Sequence, residues 1–304
     1  MKTSIVGVGN VGSTLAYTLV LKGLTNELVL VDKNLQKATS DAYDLIHSLA
    51  FTDHVMHIEA GDYDATSGSD VIVMTLSVPW DPSYKTRNDL APGNIKLYQQ
   101  ILPKLKQLSP DAVYLIVTNP VDVITYYAIK DVGLNSSKVL GIGTLIDSAR
   151  FRKYLSDHKN IHPDDIRAYI LGEHGESQFT ALSISYAGGE HIKEEAEAAE
   201  AFINSSQSAY EIVQGKGYTN FGIAMATSLV MESIYLDNNR TMPISTLVDN
   251  LWGVNDVCLS IPVIIGRKGI VRTIEPDLNS NEIDLFTKSA GIVKDIIKKA
   301  KEEI

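Results

Sequence analysis

A histidine, an aspartate and an arginine stand at spacings that could carry out acid–base chemistry on a small acid. His174 lies in Gly172-Glu173-His174-Gly175, while Asp147 and Arg150 are one helical turn apart earlier in the chain. A histidine can take up and return a proton near neutral pH, and a carboxylate on its second ring nitrogen fixes the tautomer. We predict that Asp147 supplies this carboxylate and that Arg150 binds a substrate carboxylate through two parallel hydrogen bonds.

The first 32 residues have the pattern of a dinucleotide-binding turn. An apolar run leads into the glycine-rich segment 7–12, and a helix-like stretch follows. Such glycines permit a tight turn and close approach to a pyrophosphate, which the helix N-terminus can bind. A second apolar run ends at Asp32, 20 residues after Gly12, where a carboxylate binds ribose hydroxyls and repels a 2′-phosphate. The pattern predicts NAD rather than NADP. The cofactor-binding residues are expected to be Gly7, Gly9, Asn10, Val11, Gly12 and Asp32.

Composition and charge exclude several classes of protein. The chain has 304 residues, of which 44% are hydrophobic, with a net charge of −10 and a pI near 5.2. An acidic chain without a long basic run is not expected to bind nucleic acid. No apolar stretch approaches the ~20 residues of a membrane span, and the first strand begins almost at Met1, which leaves no signal peptide. We therefore expect a cytoplasmic protein that does not interact with membranes.

Neither a disulfide nor a metal site is expected. The single cysteine, Cys258, excludes an internal disulfide and a cysteine-rich zinc site, and its apolar neighbours favour a buried, inert thiol. The histidines other than His174 show no spacing with carboxylates or thiols that is typical of metal ligands. We therefore predict that the protein binds no metal ion.

The order of apolar runs predicts an α/β fold. Strand-like runs at 71–74, 113–117 and 139–140 follow the two near the N-terminus, with helix-like runs between them. This alternation is typical of a doubly wound parallel Rossmann sheet, which we assign to residues 1–143.

The second half, residues 144–304, has a different pattern and is predicted to be an α+β substrate domain. Longer strands are expected at 181–186 and 257–263, and the acidic stretch 193–201 is predicted to be a solvent-facing helix. No low-complexity linker separates the halves. The active site is therefore expected in a fixed cleft between them, near the carboxyl ends of the parallel strands.

Several motifs occur in an order that resembles the lactate and malate dehydrogenase family over essentially the whole chain. The motifs are the glycine-rich turn with Asp32, Thr118-Asn119-Pro120-Val121-Asp122, the segment Gly141 to Arg152, Gly172-Glu173-His174-Gly175, and Lys216-Gly217-Tyr218-Thr219. The resemblance implies an NAD-dependent enzyme that transfers a hydride to or from C2 of an L-2-hydroxy acid.

The resemblance also implies roles for individual residues. His174 is expected to accept and return the proton with Asp147 as its partner, and Arg150 to bind the substrate carboxylate. Arg87, seven residues before Asn94 as in the family, is expected to close over the site with its loop and polarise the substrate oxygen. Two further residues have roles that rest on the resemblance. Asn119 is expected beside the substrate oxygen and the nicotinamide, and Thr219 either beside the substrate or as a helix N-cap.

The loop 77–87 departs from the family pattern at the position that determines specificity. Malate dehydrogenases carry an arginine six residues before the loop arginine, and lactate dehydrogenases usually carry glutamine. The matching position is Asp81, or Trp80 if the loop is one residue longer. Neither binds a second carboxylate, so an oxaloacetate enzyme is disfavoured. Trp80 would offer an apolar wall, which leaves lactate and larger acids such as 2-hydroxyisocaproate open, whereas an inward Asp81 would favour a cationic side chain.

Assembly and regulation are further expectations from the resemblance. The family implies at least a homodimer, with a homotetramer as the other expectation. Arg152 matches a position at which some bacterial lactate dehydrogenases bind fructose 1,6-bisphosphate, and Arg167 stands where those enzymes often carry histidine. Two arginines could bind this anion or form salt bridges at a subunit interface.

Two other classes of protein share parts of this pattern. NAD-dependent glycosidases use the same fold with a Cys/His metal site, but Cys258 lies far from the expected motif. A non-catalytic NAD sensor would need the glycine-rich turn but not His174, Asp147, Arg150 and Arg87 together. Both alternatives are therefore disfavoured.

Overall fold

Six parallel strands form the first part of the chain, in a computed structural model that describes residues 1–193 and 196–304. The strands are β1 (Lys2–Val6), β2 (Glu27–Val31), β3 (His57–Gly61), β4 (Val71–Met74), β5 (Val113–Ile116) and β6 (Val139–Gly141). They pair in the order β3-β2-β1-β4-β5-β6. The central strands are apolar and buried because helices cover both faces of a doubly wound sheet.

Five helices connect or follow these strands. They are α1 (Asn10–Lys22), α2 (Leu35–Ser48), α3 (Ala91–Leu108), α4 (Val121–Lys130) and α5 (Leu145–Lys159). Short 3₁₀ turns lie at Leu49–Phe51, Tyr63–Thr66, Arg87–Leu90 and Ser136–Lys138. The first helix ends at Gly23, whose φ of 60° is the left-handed conformation that glycine adopts without a steric penalty. The crossover between β1 and β2 is thus short, and it places the start of α1 at the carboxyl edge of the sheet.

In the second half, the described residues form short strands, three helices and an antiparallel extension of the sheet. Its two-residue strands are β7 (Ile166–Arg167), β8 (Ile170–Leu171), β9 (Phe179–Thr180), β10 (Tyr186–Ala187) and β11 (Glu190–His191). The longer elements are α6 (Ala196–Lys216), α7 (Phe221–Leu236), β12 (Arg240–Val248), β13 (Val257–Gly266), β14 (Gly269–Thr273) and α8 (Ser280–Glu302). Two 3₁₀ turns lie at Pro163–Asp165 and Leu182–Ile184.

One nine-stranded sheet runs through both halves of the chain. Strand β12 pairs antiparallel with β6 through Ser245 and Gly141, and β13 and β14 continue the sheet outward. A Cβ on Gly141 would lie 2.8 Å from the Cβ of Ser245, so the close junction depends on glycine. The residues that follow β5 and β6 therefore lie next to side chains from the second half.

The α/β fold class agrees with the prediction, but three local elements differ. Residues 181–186 do not form one strand, because residues 182–184 adopt a 3₁₀ turn between β9 and β10. Strand β3 was not predicted, because two of its five residues, His57 and Glu59, are polar and exposed. In the acidic stretch, Glu194 and Glu195 lie outside the described residues. Farther along it, Glu197 and Glu200 are exposed while Ala198 is buried, so that helix α6 also has a packed face.

The apolar side chains form a large core around the sheet and a smaller one between α5 and α6. The smaller core includes Phe151, Leu155 and Ile166. Across residues 1–193 and 196–304, no helix has both the length and the apolar character needed to cross a membrane.

Candidate active site

The glycine-rich turn has the backbone geometry that a dinucleotide requires. Gly7 has a φ of 101°, and a Cβ there would lie 2.5 Å from the backbone nitrogen of Leu76. A Cβ on Gly12 would lie 2.1 Å from the carbonyl oxygen of Gly7, so a side chain would separate the helix from the strand. Gly9, by contrast, faces open space. The helix that begins at Asn10 and Val11 has no side-chain cap, which leaves backbone N–H groups available to a phosphate.

Asp32 lies at the end of β2, beside this turn. Its carboxylate accepts hydrogen bonds from the backbone N–H of Val8 at 2.8 Å and of Asn34 at 2.9 Å. These bonds hold the carboxylate at the carboxyl edge of the sheet, where the ribose of a dinucleotide would lie. The turn and the carboxylate together fit NAD.

Asp147 joins His174 to Arg150. One carboxylate oxygen lies 2.6 Å from Nδ1 of His174, and the other accepts a hydrogen bond from Nη1 of Arg150 at 3.0 Å. The His174 and Asp147 side chains are nearly buried, at 9% and 8% exposure. The first turn of α5 presents Asp147, and Arg150 follows one turn later on the same face. A carboxylate at Nδ1 favours the tautomer with the proton on Nδ1 and an unprotonated Nε2.

The charges around Asp147 stabilise its ionised form. Burial alone would raise its pKa, but the charge and hydrogen bond of His174 and the charges of Arg150 and Arg87 outweigh this effect. The pKa of Asp147 consequently lies below its ordinary value. Asp147 is therefore a fixed negative charge beside the imidazole.

Arg87 reaches the opposite nitrogen of the same ring. Its Nη1 lies 3.4 Å from Nε2 of His174, although the two residues are far apart in sequence. Thr86 caps the 3₁₀ turn that begins at Arg87, in a reciprocal capping box with Asp89. This cap fixes the end of the loop. The structure thus brings Arg87, His174, Asp147 and Arg150 into one cluster.

The loop before Arg87 carries an exposed aromatic pair. Trp80 is 54% exposed, and its ring packs edge to face against Tyr84 at 5.7 Å between centroids. Asp81 accepts hydrogen bonds from the backbone N–H and the hydroxyl of Ser83. These bonds lower the pKa of Asp81 and direct its carboxylate to the turn, which removes the basis for a cationic substrate side chain.

Asn94 links the start of this loop to Asn119. The fully buried Asn94 accepts a hydrogen bond from the backbone N–H of Val78 at 2.7 Å and donates one to the carbonyl oxygen of Asn119 at 2.7 Å. It also donates to the Ser77 hydroxyl. Asn119 is half-buried after β5 and precedes a cis peptide bond to Pro120. Asn94 therefore positions both the substrate loop and Asn119.

Thr219 is not the N-cap of the following helix. The N-cap position of α7 belongs to Asn220, whose side chain instead donates to the Thr14 hydroxyl at 2.8 Å and accepts from Lys216. The N-cap alternative for Thr219 was therefore wrong, because α7 begins one residue later. Thr219 is half-buried beside these contacts, and its substrate role stays a prediction.

Arg152 and Arg167 lie close enough to repel each other. Burial and the charge of Arg167 lower the pKa of Arg152, whereas Asp164 raises it. The Nε of Arg152 is buried and has no hydrogen-bond partner among the described residues. Like charges in this arrangement favour an additional anion nearby.

Two buried carboxyl groups beside His174 were not assigned a role from the sequence. Asp122 accepts a hydrogen bond from the backbone N–H of His174 at 2.8 Å, and Glu173 accepts one from the Ser177 hydroxyl at 2.5 Å. The sequence did contain a signal for Asp122, because it is the one acid among the apolar residues that begin the helix after β5.

The remaining residues that could take part in chemistry are metal ligands and the single thiol, Cys258. Within residues 1–193 and 196–304, no group of three or more His, Cys, Asp or Glu side chains is arranged to hold a metal ion. Cys258 is buried, and burial raises the pKa of its thiol well above the ordinary value.

Comparison with known proteins places these residues in a family. A family model described as lactate/malate dehydrogenase, NAD binding domain, matches residues 1–141, and one described as lactate/malate dehydrogenase, alpha/beta C-terminal domain, matches residues 144–304. An L-lactate dehydrogenase of Thermoanaerobacter sp. (strain X514) is 41% identical, with 98% of each chain covered. One from Clostridium perfringens (strain 13 / Type A) is 36% identical, with 96% of this chain and 95% of the relative covered.

Solved structures agree with this assignment. A lactate dehydrogenase from a Medee basin deep-sea metagenome library superposes with a TM-score of 0.93 at 32% identity, over 99% of this chain and 98% of the other. The minor L-lactate dehydrogenase of Enterococcus mundtii, solved with ligands bound, also gives a TM-score of 0.93, at 30% identity and 98% coverage of each chain. The chain belongs to the lactate/malate dehydrogenase family.

Proposed function

We propose that this protein is an NAD-dependent L-2-hydroxy acid dehydrogenase that interconverts pyruvate and L-lactate. The observation that carries the proposal is the chain of contacts from Arg150 through Asp147 to His174 and on to Arg87. It combines a proton donor and acceptor, its orienting carboxylate and two cations for an anionic substrate. The full-length similarity to L-lactate dehydrogenases supports the same activity.

His174 moves the proton of the reaction. In the direction of reduction, the protonated ring donates from Nε2 to the oxygen on C2 of the oxo acid, and in oxidation the neutral ring removes the hydroxyl proton. Asp147 holds the Nδ1 proton in both states and stabilises the imidazolium. NAD, held by Gly7, Gly9, Gly12 and Asp32, supplies the hydride chemistry when bound.

Two arginines bind and polarise the substrate. Arg150 uses one N–H for Asp147 and keeps further donors for the substrate carboxylate. Arg87, next to Nε2 of His174, stabilises negative charge that develops on the substrate oxygen. Asn119 donates its side-chain amide near the same oxygen, and Thr219 contacts the substrate from the second half.

The substrate side chain is the point on which a second candidate differs. The aromatic pair of Trp80 and Tyr84 gives the loop an apolar surface larger than a methyl group requires. This feature favours an L-2-hydroxyisocaproate dehydrogenase as the alternative. The test is NADH oxidation with pyruvate, oxaloacetate and 2-ketoisocaproate side by side. Preference for pyruvate supports the first proposal and preference for the branched acid the second, whereas activity with oxaloacetate alone contradicts both.

The competing classes of protein make different predictions in the same assay. An NAD sensor would bind NADH and turn over none of the three acids. A glycosidase of this fold would require a divalent metal. Turnover of an oxo acid in the presence of a chelator excludes both classes.

The arginine pair Arg152 and Arg167 is proposed as the binding site for a sugar bisphosphate. The unpartnered Nε of Arg152 and the neighbouring charge of Arg167 support an anion there. Fructose 1,6-bisphosphate should then lower the KM for the oxo acid in the wild type but not in Arg152→Gln. An unchanged KM favours the alternative, salt bridges at a subunit interface.

We further propose that the protein is a homodimer or a homotetramer, and light scattering distinguishes the two.

A further inference from the structure

Asp122 connects three elements that meet at His174. It lies in the first turn of α4, is 3% exposed, and accepts the backbone N–H of His174 through one oxygen at 2.8 Å. Its other oxygen accepts the hydroxyl of Ser245 on β12 at 2.5 Å. The helix α4 begins two residues after Asn119, whereas His174 and Ser245 belong to the second half. One carboxyl group thus joins the residues after β5 to the backbone of the proton carrier.

This position is costly for a charge. Burial raises the pKa of Asp122 to about 6, and the hydrogen bonds from Ser245 and His174 only partly oppose that effect. The charged and titratable groups facing it are His174, Glu173 and Cys258. A buried carboxylate without a close cation destabilises the fold, and its hydrogen bonds offset only part of this cost. The neighbour bonded to it here is His174.

We infer that Asp122 is a positioning residue for His174, which holds the backbone of the histidine and favours the protonated imidazole through its negative charge. The inference rests on the proposed function, because the protonated ring is the form that reduces an oxo acid. The ring itself is faced by Asp147 at Nδ1 and by Arg87 at Nε2. The negative charge of Asp122 adds to that of Asp147 and counteracts the positive charge of Arg87 near the ring.

The sign of the effect follows from these charges. An ionised Asp122 stabilises the imidazolium, so removing its charge makes His174 lose its proton at a lower pH. Reduction of the oxo acid requires the protonated ring and would then decline at a lower pH. Oxidation of the hydroxy acid requires the neutral ring, so its rise with pH would begin earlier.

The test is the Asp122→Asn variant, which keeps an oxygen for the N–H of His174 and removes the charge. We expect the His174 titration midpoint, followed by NMR of imidazole-labelled protein, to fall relative to that of the wild type. The pH profile of kcat/KM for reduction should shift equally, with NADH affinity unchanged. An unshifted midpoint, with or without a uniform loss of kcat, overturns the inference.

Two further variants complete the experiment. Ser245→Ala removes one donor but keeps the carboxyl group, so Asp122 becomes harder to ionise and the midpoint should lie between those of the wild type and Asp122→Asn. This variant keeps the test valid if Asp122→Asn fails to fold. Glu282→Gln is the matched control, because Glu282 is an equally buried acid that caps α8 away from His174. Its midpoint should equal that of the wild type.

The NMR titration separates this inference from the proposed function. Absence of turnover by the wild type would contradict the proposed reaction, yet the His174 midpoint would still respond to Asp122→Asn. An active wild type whose midpoint is insensitive to the substitution would contradict only the positioning role.

Discussion

Asp147 has two partners on opposite sides of one carboxylate, and this arrangement makes its charge the centre of the site. The imidazole of His174 and the guanidinium of Arg150 each bind one oxygen. Both partners favour the ionised carboxylate strongly enough to hold the pKa of Asp147 below its ordinary value, although burial alone would raise it. The tautomer of the histidine and the orientation of the arginine therefore depend on the same group.

Neutralising this group should slow catalysis without affecting cofactor binding. In Asp147→Asn the amide can no longer stabilise an imidazolium, and we expect kcat to fall by about 10²–10⁴-fold. Steady-state kinetics measure this loss, and NADH fluorescence titration should give an unchanged Kd. A kcat within a few-fold of the wild type would contradict the relay.

Asp32 determines a different property, the choice between NAD and NADP. Replacing it by Ser removes the charge that repels a 2′-phosphate and loses at least one of the bonds to Val8 and Asn34. The ratio of kcat/KM for NADPH over NADH should rise by about tenfold, or about 1.4 kcal/mol. The control is Asp111→Ser, since Asp111 is an exposed aspartate before β5. Undiminished discrimination against NADPH in Asp32→Ser would show that another residue sets it.

At the scale of elements, the helix α3 holds the substrate loop at its beginning. Asn94 bonds Val78, Ser77 and Asn119 from a fully buried position, and a Cβ on Gly93 would already crowd Val78. The capping box of Thr86 and Asp89 fixes the other end. The residues between these two anchors include the aromatic pair of Trp80 and Tyr84.

Removing the first anchor should affect both stability and turnover. Asn94→Ala leaves the N–H of Val78 and the carbonyl of Asn119 without partners, which costs about 1–3 kcal/mol in urea unfolding. We expect kcat/KM for the oxo acid to fall more than NADH affinity, because the loop and Asn119 are no longer held in a fixed position relative to each other. Asn135→Ala removes a comparable side-chain bond from a surface turn and should change neither kinetic constant. Equal kinetics in the two variants would contradict the anchoring role.

The elements that sequence patterns predicted well are those whose local signals agree with their environment. The buried strand β4 is a continuous apolar run, and its predicted bounds, 71–74, are the observed ones. Residues 182–184 have the alternation of a strand, yet form a 3₁₀ turn whose Ser183 bonds Glu282 in a distant helix. Such a contact overrides the local pattern and leaves no signal in sequence spacing.

The same distinction applies to the site. His174, Asp147 and Arg150 were predicted from short motifs with their own chemistry, whereas the prediction of Arg87 rested on the family resemblance. Asp122 was present in a quoted motif and Asn94 was named only for its offset from Arg87, but the partners of both are set by tertiary structure. The bond from Ser245 to Asp122, for example, spans 123 positions in the chain.

At the scale of the whole molecule, the continuous sheet makes the stability of both halves depend on the acids buried at their junction. Asp147 and Asp122 have opposite effects on the pH dependence of folding. The pKa of Asp147 is lowered in the fold, so its contribution is present above its unfolded pKa and is lost as the pH falls through the folded value. The pKa of Asp122 is raised from 3.8 to about 6, so the folded protein binds the extra proton between these values and gains stability as the pH falls.

Asp122→Asn should therefore increase the free energy of unfolding at pH 7, by up to about 3 kcal/mol, and lose this advantage as the pH falls from about 6 towards 4. Asp147→Asn should instead be less stable than the wild type at pH 7. Guanidinium chloride unfolding at pH 7, 5 and 4 and one protein concentration measures both, because the stability of an oligomer depends on its concentration. If Asp122→Asn is less stable than the wild type at pH 7, and its free energy of unfolding changes with pH as in the wild type, then the hydrogen bonds of Asp122 outweigh the cost of its buried charge. A variant that is more stable but reduces its oxo acid over a narrower pH range would show that the molecule keeps this charge for His174 at the expense of stability.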